Sequence, residues 1–183
     1  MARKLISVYA DGSSCGDSKG AIGWGWLITD WDEIIAAGSA GAPEGTNNIA
    51  ELQGAIYGLR VIVDKNLHRD ADIELVSDSQ YALNLGDGSN KAQKNLDLVK
   101  TLQDLFKVTG ARSRWVRGHN GDIFNEKCDE LAKHGRDQYA APEQRKRRRS
   151  RKREERRRKR ALVKAYKERV YGYRRKADPR QHR

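Results

Sequence analysis

Beyond Pro142 the chain reads EQRKRRRSRKREERRRKR, a run too polar and too highly charged to bury itself, so any folded core must come from the residues before it. Charge divides at the same place. Ala141 to Arg183 carries 21 Lys/Arg against 5 Asp/Glu, a net +16, whereas Met1 to Ala140 carries 16 against 20, a net −4. The overall +12 of the 183-residue chain therefore describes neither part. The sequence predicts a mildly acidic globular domain over residues 1–138 and a strongly cationic extension over 139–183. The first part is long enough for one well-cored domain.

The opening MARKLISVYADG has too short an apolar run for a signal peptide, and no segment is long and apolar enough to span a bilayer, so no membrane partner is expected. Two cysteines, Cys15 and Cys128, cannot build a disulfide framework and read as small buried hydrophobes or inert thiols. A soluble, monomeric protein of a reducing compartment is expected: the cytoplasm, or the nucleus if the host is eukaryotic.

Hydrophobic periodicity outlines the elements. Lys4 to Ala10 is rich in β-branched and aromatic residues and precedes a turn signal at Asp11-Gly12-Ser13. Ala21 to Thr29 reads as a second strand, whose glycines suggest a close neighbour or a bend. Asp30-Trp31-Asp32 reverses the chain into a third strand over Glu33 to Ser39, completing an antiparallel meander. The period then lengthens: Ile49, Leu52, Ile56, Leu59 and Val63 form a helical stripe that Asn47 or Asn48 can cap. Ile73 to Ser77 is a short strand. Ala92 to Val108 is a helix with Leu96, Val99, Leu102 and Phe106 inward, and Arg112 to Arg117 alternates as a strand. Phe124, Cys128 and Leu131 mark a last helix for which Gly135 is a stop signal. The order β-β-β-α-β-α-β-α predicts an α/β fold: a mixed five-stranded sheet, three strands antiparallel and the rest parallel, flanked by helices.

Four acids stand where such a layer can gather them. Asp11 ends the first strand, Glu51 lies at the start of the first long helix, Asp78 ends the fourth strand and Asp129 lies on the last helix. Each has an ordinary explanation alone: a turn residue, a partner of the helix dipole, a cap and a solvated charge. Gathered at one sheet edge, four acids repel unless hard cations hold them together. Two Mg²⁺ ions about 4 Å apart suit such a cluster and would serve phosphodiester cleavage.

The segments YADGSS (9–14), TNNIAELQGAI (46–56), SDSQYA (77–82) and RGHNGDIFNEKCDELA (117–132) resemble, in order, the motifs of type 1 ribonuclease H. The resemblance runs from Lys4 to about Gly135. It implies a ribonuclease H-like fold and endonucleolytic hydrolysis of the RNA strand of RNA–DNA hybrids. It implies Asp11, Glu51, Asp78 and Asp129 as ligands of two Mg²⁺ ions, with Mn²⁺ as an alternative. His119 matches a loop histidine that assists proton transfer or product release, a task its near-neutral pKa suits.

By the same resemblance Gly12, Ser13, Thr46, Asn47, Asn48, Gln80 and Asn125 face the hybrid. Asn47, Asn48 and Gln80 would read its minor groove, where the 2′-hydroxyl distinguishes RNA from DNA. Thr46 would hold a DNA-strand phosphate. Two features depart from the pattern. Asp17, followed by Ser18-Lys19, stands where many members carry Asn, and Leu83 to Asn90 lacks the basic, tryptophan-bearing insertion that grips the DNA strand in many cellular members. The basic extension would supply a replacement grip through counterion release, with Leu162, Tyr166 and Val170 as a short apolar stripe; its plainer reading is a solvated or nuclear-targeting run. Rival functions are a DNA-cutting nuclease of the same superfold and a non-catalytic nucleic-acid-binding protein.

Overall fold

Alternation along the first strand sorts the folded part of the chain into layers. A computed structural model describes residues 3–16, 20–118, 120–142, 146, 150 and 153–166. In β1 (Lys4–Ser14), Ile6, Val8 and Ala10 point to one side and pack with Leu52, Ile56, Leu59 and Ile62 of α1 (Asn47–Asp64). Tyr9 points to the other and packs with Leu27, Val76 and Cys128. The two-residue period of a strand thus assigns one helix to each face.

Five strands form one sheet in the order β3-β2-β1-β4-β5. β2 (Gly20–Asp30) and β3 (Glu33–Gly45) complete the antiparallel meander, while β4 (Ala71–Ser77) runs parallel to β1 and β5 (Arg112–Trp115) parallel to β4. The mixed sheet expected from the sequence is the one observed. α2 (Gln80–Gly86) and α3 (Leu96–Thr109) join α1 over the larger core, and α4 (Ile123–Tyr139) covers the opposite face of β1, β2 and β3.

Several local expectations are corrected. Asp11-Gly12-Ser13 is no turn but a continuation of β1, paired with Gly25, Trp24 and Gly23 of β2. The α1 cap is Thr46, whose Oγ1 accepts from the Ile49 amide at 3.3 Å; Asn47 is already helical. Ile62, not Val63, continues the buried α1 stripe. Ser79 rather than Asp78 caps α2, a seven-residue helix that the sequence pattern did not delimit. α3 begins at Leu96 instead of Ala92, after Asn95 in a left-handed conformation, and Leu96 is exposed while Val99, Leu102 and Phe106 are buried.

Gly135 is not a stop. It lies inside α4, and a Cβ on it would stand 2.0 Å from the Ala40 carbonyl oxygen of β3. Glycine serves there to bring helix and sheet backbones together. Gly25 of β2 meets the same helix, its ideal Cβ 2.5 Å from the Cys128 carbonyl, which explains the glycines of that strand as close packing and not a bend.

The chain divides into two compact units, Met1–Ala140 and Ala141–Arg183. In the second, residues 153–166 are helical, with Leu162, Val163 and Tyr166 exposed and ion pairs of Arg158 with Glu154 and Lys159 with Glu155. Val170 lies outside the described residues. Among those described, no disulfide joins the cysteines and no helix is long and apolar enough to cross a membrane.

Candidate metal and active site

Three acids meet at one end of the sheet because strand register and helix packing leave them nowhere else to go. β1 and β4 are neighbours with Tyr9 opposite Val76, and two residues further along each chain stand Asp11 and Asp78. Gly12 then faces α1 so closely that a Cβ on it would lie 2.4 Å from the Glu51 amide nitrogen. That contact carries Glu51, one turn into the helix, beside Asp11. Ligand oxygens of Asp11, Glu51 and Asp78 all lie within 4.8 Å of one another.

Asp129, on α4, stands outside that trio. Strand alternation turns Asp11 towards that helix, and the Asp129 charge acts on it there. Burial, with Asp78 and Asp129 close by, pushes the Asp11 carboxyl up to about 7. Burial and the charges of Asp11 and Asp78 likewise hold Glu51 well above the usual carboxylate range. Three of the acids have a polar partner: Gly12 N donates to Asp11 Oδ1 at 2.7 Å, Asn47 Nδ2 to Glu51 Oε1 at 3.1 Å, and Lys133 ion-pairs with Asp129.

Glu51 Oε2 is buried and, among the described residues, has no hydrogen-bond partner. A partly buried, mutually repelling set of carboxylates with an unused oxygen is a poor arrangement for the protein alone. It is a good one for a hard dication, which takes oxygen ligands and removes the repulsion.

The other predicted residues divide into two groups. Thr46, Asn47, Asn48 and Gln80 are exposed at the starts of α1 and α2, on the elements that carry Glu51 and follow Asp78. Asn125 lies one turn before Asp129 on α4, only 3% exposed, and among the described residues its Oδ1 has no hydrogen-bond partner. Gly12 is occupied in packing. Ser13 is buried and accepts from Arg136 Nη1 at 2.6 Å. His119 and the Asp17-Ser18-Lys19 stretch lie outside the described residues.

Sequence reasoning passed over four features. Lys133 stands four residues after Asp129, a spacing that on any helix brings the two charges together. Arg136 is buried and also donates to the Ser14 carbonyl; Asn125, Cys128, Ala132 and Arg136 recur every three or four residues, so the stripe itself pointed inward. Trp115 donates its indole N–H to the Asp78 carbonyl, which no local pattern announces. Finally, a cleft of about 420 Å³ opens beside Thr46 and Asn48, and Tyr81, Lys91 and Lys94 line it. Two basic side chains thus stand immediately after the neutral-to-acidic stretch Leu83–Asn90. Cys128 is buried, and burial pushes its thiol up, as expected of an inert packing residue.

Comparison with known proteins agrees with this geometry. The RNase H family model matches residues 3–137. A ribonuclease H of Sulfurovum sp. (strain NBC37-1) is 35% identical over 149 residues, covering 77% of this chain and 97% of the relative. Among solved structures, the N-terminal RNase H domain of rv2228c from Mycobacterium tuberculosis superposes with a TM-score of 0.65 at 25% identity, covering 74% of this chain and 96% of that one. RNase H1 from the halophilic archaeon Halobacterium salinarum NRC-1 gives 0.62 at 27% identity, covering 73% and 98%.

Proposed function

The chain belongs to the ribonuclease H family, and from that premise we propose how its residues divide the work of hydrolysing the RNA strand of RNA–DNA hybrids. It is a metal-dependent endoribonuclease, and the observation that carries the reading is the convergence of Asp11, Glu51 and Asp78 within 4.8 Å. Asp11, Glu51, Asp78 and Asp129 would hold two Mg²⁺ ions, with Mn²⁺ able to replace them. When bound, such ions supply Lewis-acid stabilisation of charge on the attacking and leaving oxygens of a phosphodiester.

The protein's own contribution is placement. Asp11 lies between the β4 and α4 sides of the cluster, where it would help to hold the metal. Asn47 orients Glu51 through one carboxylate oxygen and leaves the other for a ligand. His119 carries a proton to the leaving oxygen or speeds product departure; its part rests on the sequence resemblance. Asn48 and Gln80, exposed beside the cluster, suit contacts to 2′-hydroxyls and base edges, and Asn47 and Asn125 extend that set. Lys91 and Lys94, in the cleft next to Thr46, suit the phosphates of the DNA strand.

The extension 139–183 acts as a sequence-blind nucleic-acid tether on a monomeric enzyme, a reading supported by its net charge of +16. The deciding experiment for the activity is an assay on labelled hybrid, duplex DNA and duplex RNA with Mg²⁺ or a chelator. Cleavage confined to the RNA strand of the hybrid, and only with the ion, is the expected result. Cutting of duplex DNA, or binding without turnover, would refute it.

A further inference from the structure

Asp78 is held differently from the other three acids. Among the described residues no hydrogen bond or ion pair reaches its carboxylate, whereas Asp11, Glu51 and Asp129 each have a polar partner. The end of β5 and the residues just after it pack against it. Trp115 Nε1 donates to the Asp78 main-chain oxygen at 3.1 Å, and the next amide, Val116 N, donates to the Ser77 carbonyl at 3.1 Å. Two residues on, Gly118 lies against the carboxylate itself. A Cβ on Gly118 would stand 2.4 Å from Asp78 Oδ2, 3.4 Å from Cγ and 3.6 Å from Cβ, and these are the three atoms nearest to that point.

We propose that Trp115 and Gly118 are positioning residues for Asp78: the indole pins its backbone, the bare Cα of Gly118 leaves room for its carboxylate, and together they set the affinity of the acidic cluster for a divalent cation. The inference rests on the metal reading of that cluster. The atoms in the way of a side chain at 118 belong to a short carboxylate that can rotate. Alanine there turns Asp78 out of the cluster at little cost to the fold. Partners that orient a metal ligand typically change affinity by about 10–100-fold when altered.

The experiment is Mn²⁺ and Mg²⁺ titration calorimetry on the full chain and its Gly118→Ala, Trp115→Phe, Asp78→Asn and Gly118→Ala/Asp78→Asn variants, with melting in chelator as the fold control. Gly118→Ala is expected to melt with the wild type yet bind the ion about 10-fold more weakly. Trp115→Phe, which keeps the ring and loses the N–H, is expected to bind about 3-fold more weakly. Adding Gly118→Ala to Asp78→Asn should change nothing further, because its effect passes through Asp78. If the wild type binds the ion and Gly118→Ala and Trp115→Phe bind it equally well, positioning by this strand end is refuted while the metal site stands. Additive losses in the double variant would also refute it. Should Gly118→Ala fail to fold, Trp115→Phe and its cycle with Asp78→Asn decide. A wild type that binds no divalent ion overturns the metal reading and this inference with it.

Discussion

Lys133 lays its ammonium on the Asp129 carboxylate, one helical turn earlier on α4. The same charge also reaches Asp11 and opposes the upward shift of that acid. A resident cation at the edge of a dication site both relieves the acids and competes for them. Lys133→Met should therefore tighten Mg²⁺ binding modestly, about 2–5-fold, since the pair is partly solvated and worth ~1 kcal/mol or less. Metal-free stability above pH 7 should fall slightly. Calorimetric titration beside urea unfolding in chelator checks both, and weaker ion binding in the variant would contradict the competition.

Asp11 ties activity and stability to opposite conditions. The folded carboxyl titrates at about 7 and an unfolded aspartate near 4, so between those values the folded state holds the extra proton. Stability of the metal-free protein should fall as pH rises from about 4 to about 7 and stay low above that. Asp11→Asn removes the charge: it should gain about 2–4 kcal/mol at pH 8 in chelator and little at pH 4. Hybrid cleavage should vanish in the same variant, as in Asp78→Asn. Urea melts across pH, paired with a cleavage gel, test the two halves separately.

His119 should matter less than the carboxylates. A proton carrier is typically worth ~10²–10⁴-fold, and a product-release role less, so His119→Ala should retain measurable cleavage in Mg²⁺. Its rate should lose the wild-type dependence on pH between 6 and 9. An unaltered rate and profile would remove any chemical part for this side chain.

Ending the chain at Ala140 keeps every residue assigned to ion and groove, so turnover at saturating hybrid should survive. Affinity should not. An arm that neutralises about six to ten phosphates gives log K a slope of roughly −5 to −9 against log salt, and truncation should flatten it. Preference for hybrid over duplex DNA should remain, since groove contacts carry it and the arm senses only charge. Binding to a hydrolysis-resistant hybrid at several salt concentrations measures this; equal slopes would assign the arm another task.

How much of this was readable beforehand follows from which interactions are local. Strand and helix periods reported the mixed sheet and most of the α1 stripe. Asp11, Glu51 and Asp78 stood out at strand ends and a helix start, whereas Asp129, inside α4, stood out only through the family motif around it. The errors occurred where distant packing decides. Gly12 and Gly135 looked like a turn and a stop, yet each accommodates the backbone of another element, Glu51 and Ala40 respectively. Asn47 looked like a cap, but Thr46 takes that role and frees Asn47 for Glu51. Trp115 reaches Asp78 across 37 residues of sequence, beyond any periodic signal.

The last of the four site acids to be synthesised has a bearing on the cell's own safety. Asp129 rides on α4, and that helix also covers Tyr9, Leu27 and Val76 on the sheet. A chain broken off before residue 122 would lack both Asp129 and the helix that covers that apolar face. Such a fragment should leave labelled hybrid intact, and limited proteolysis should find its sheet open. Fragments that end before α4 should thus be harmless to nucleic acid, because the same helix closes the fold and brings the fourth acid.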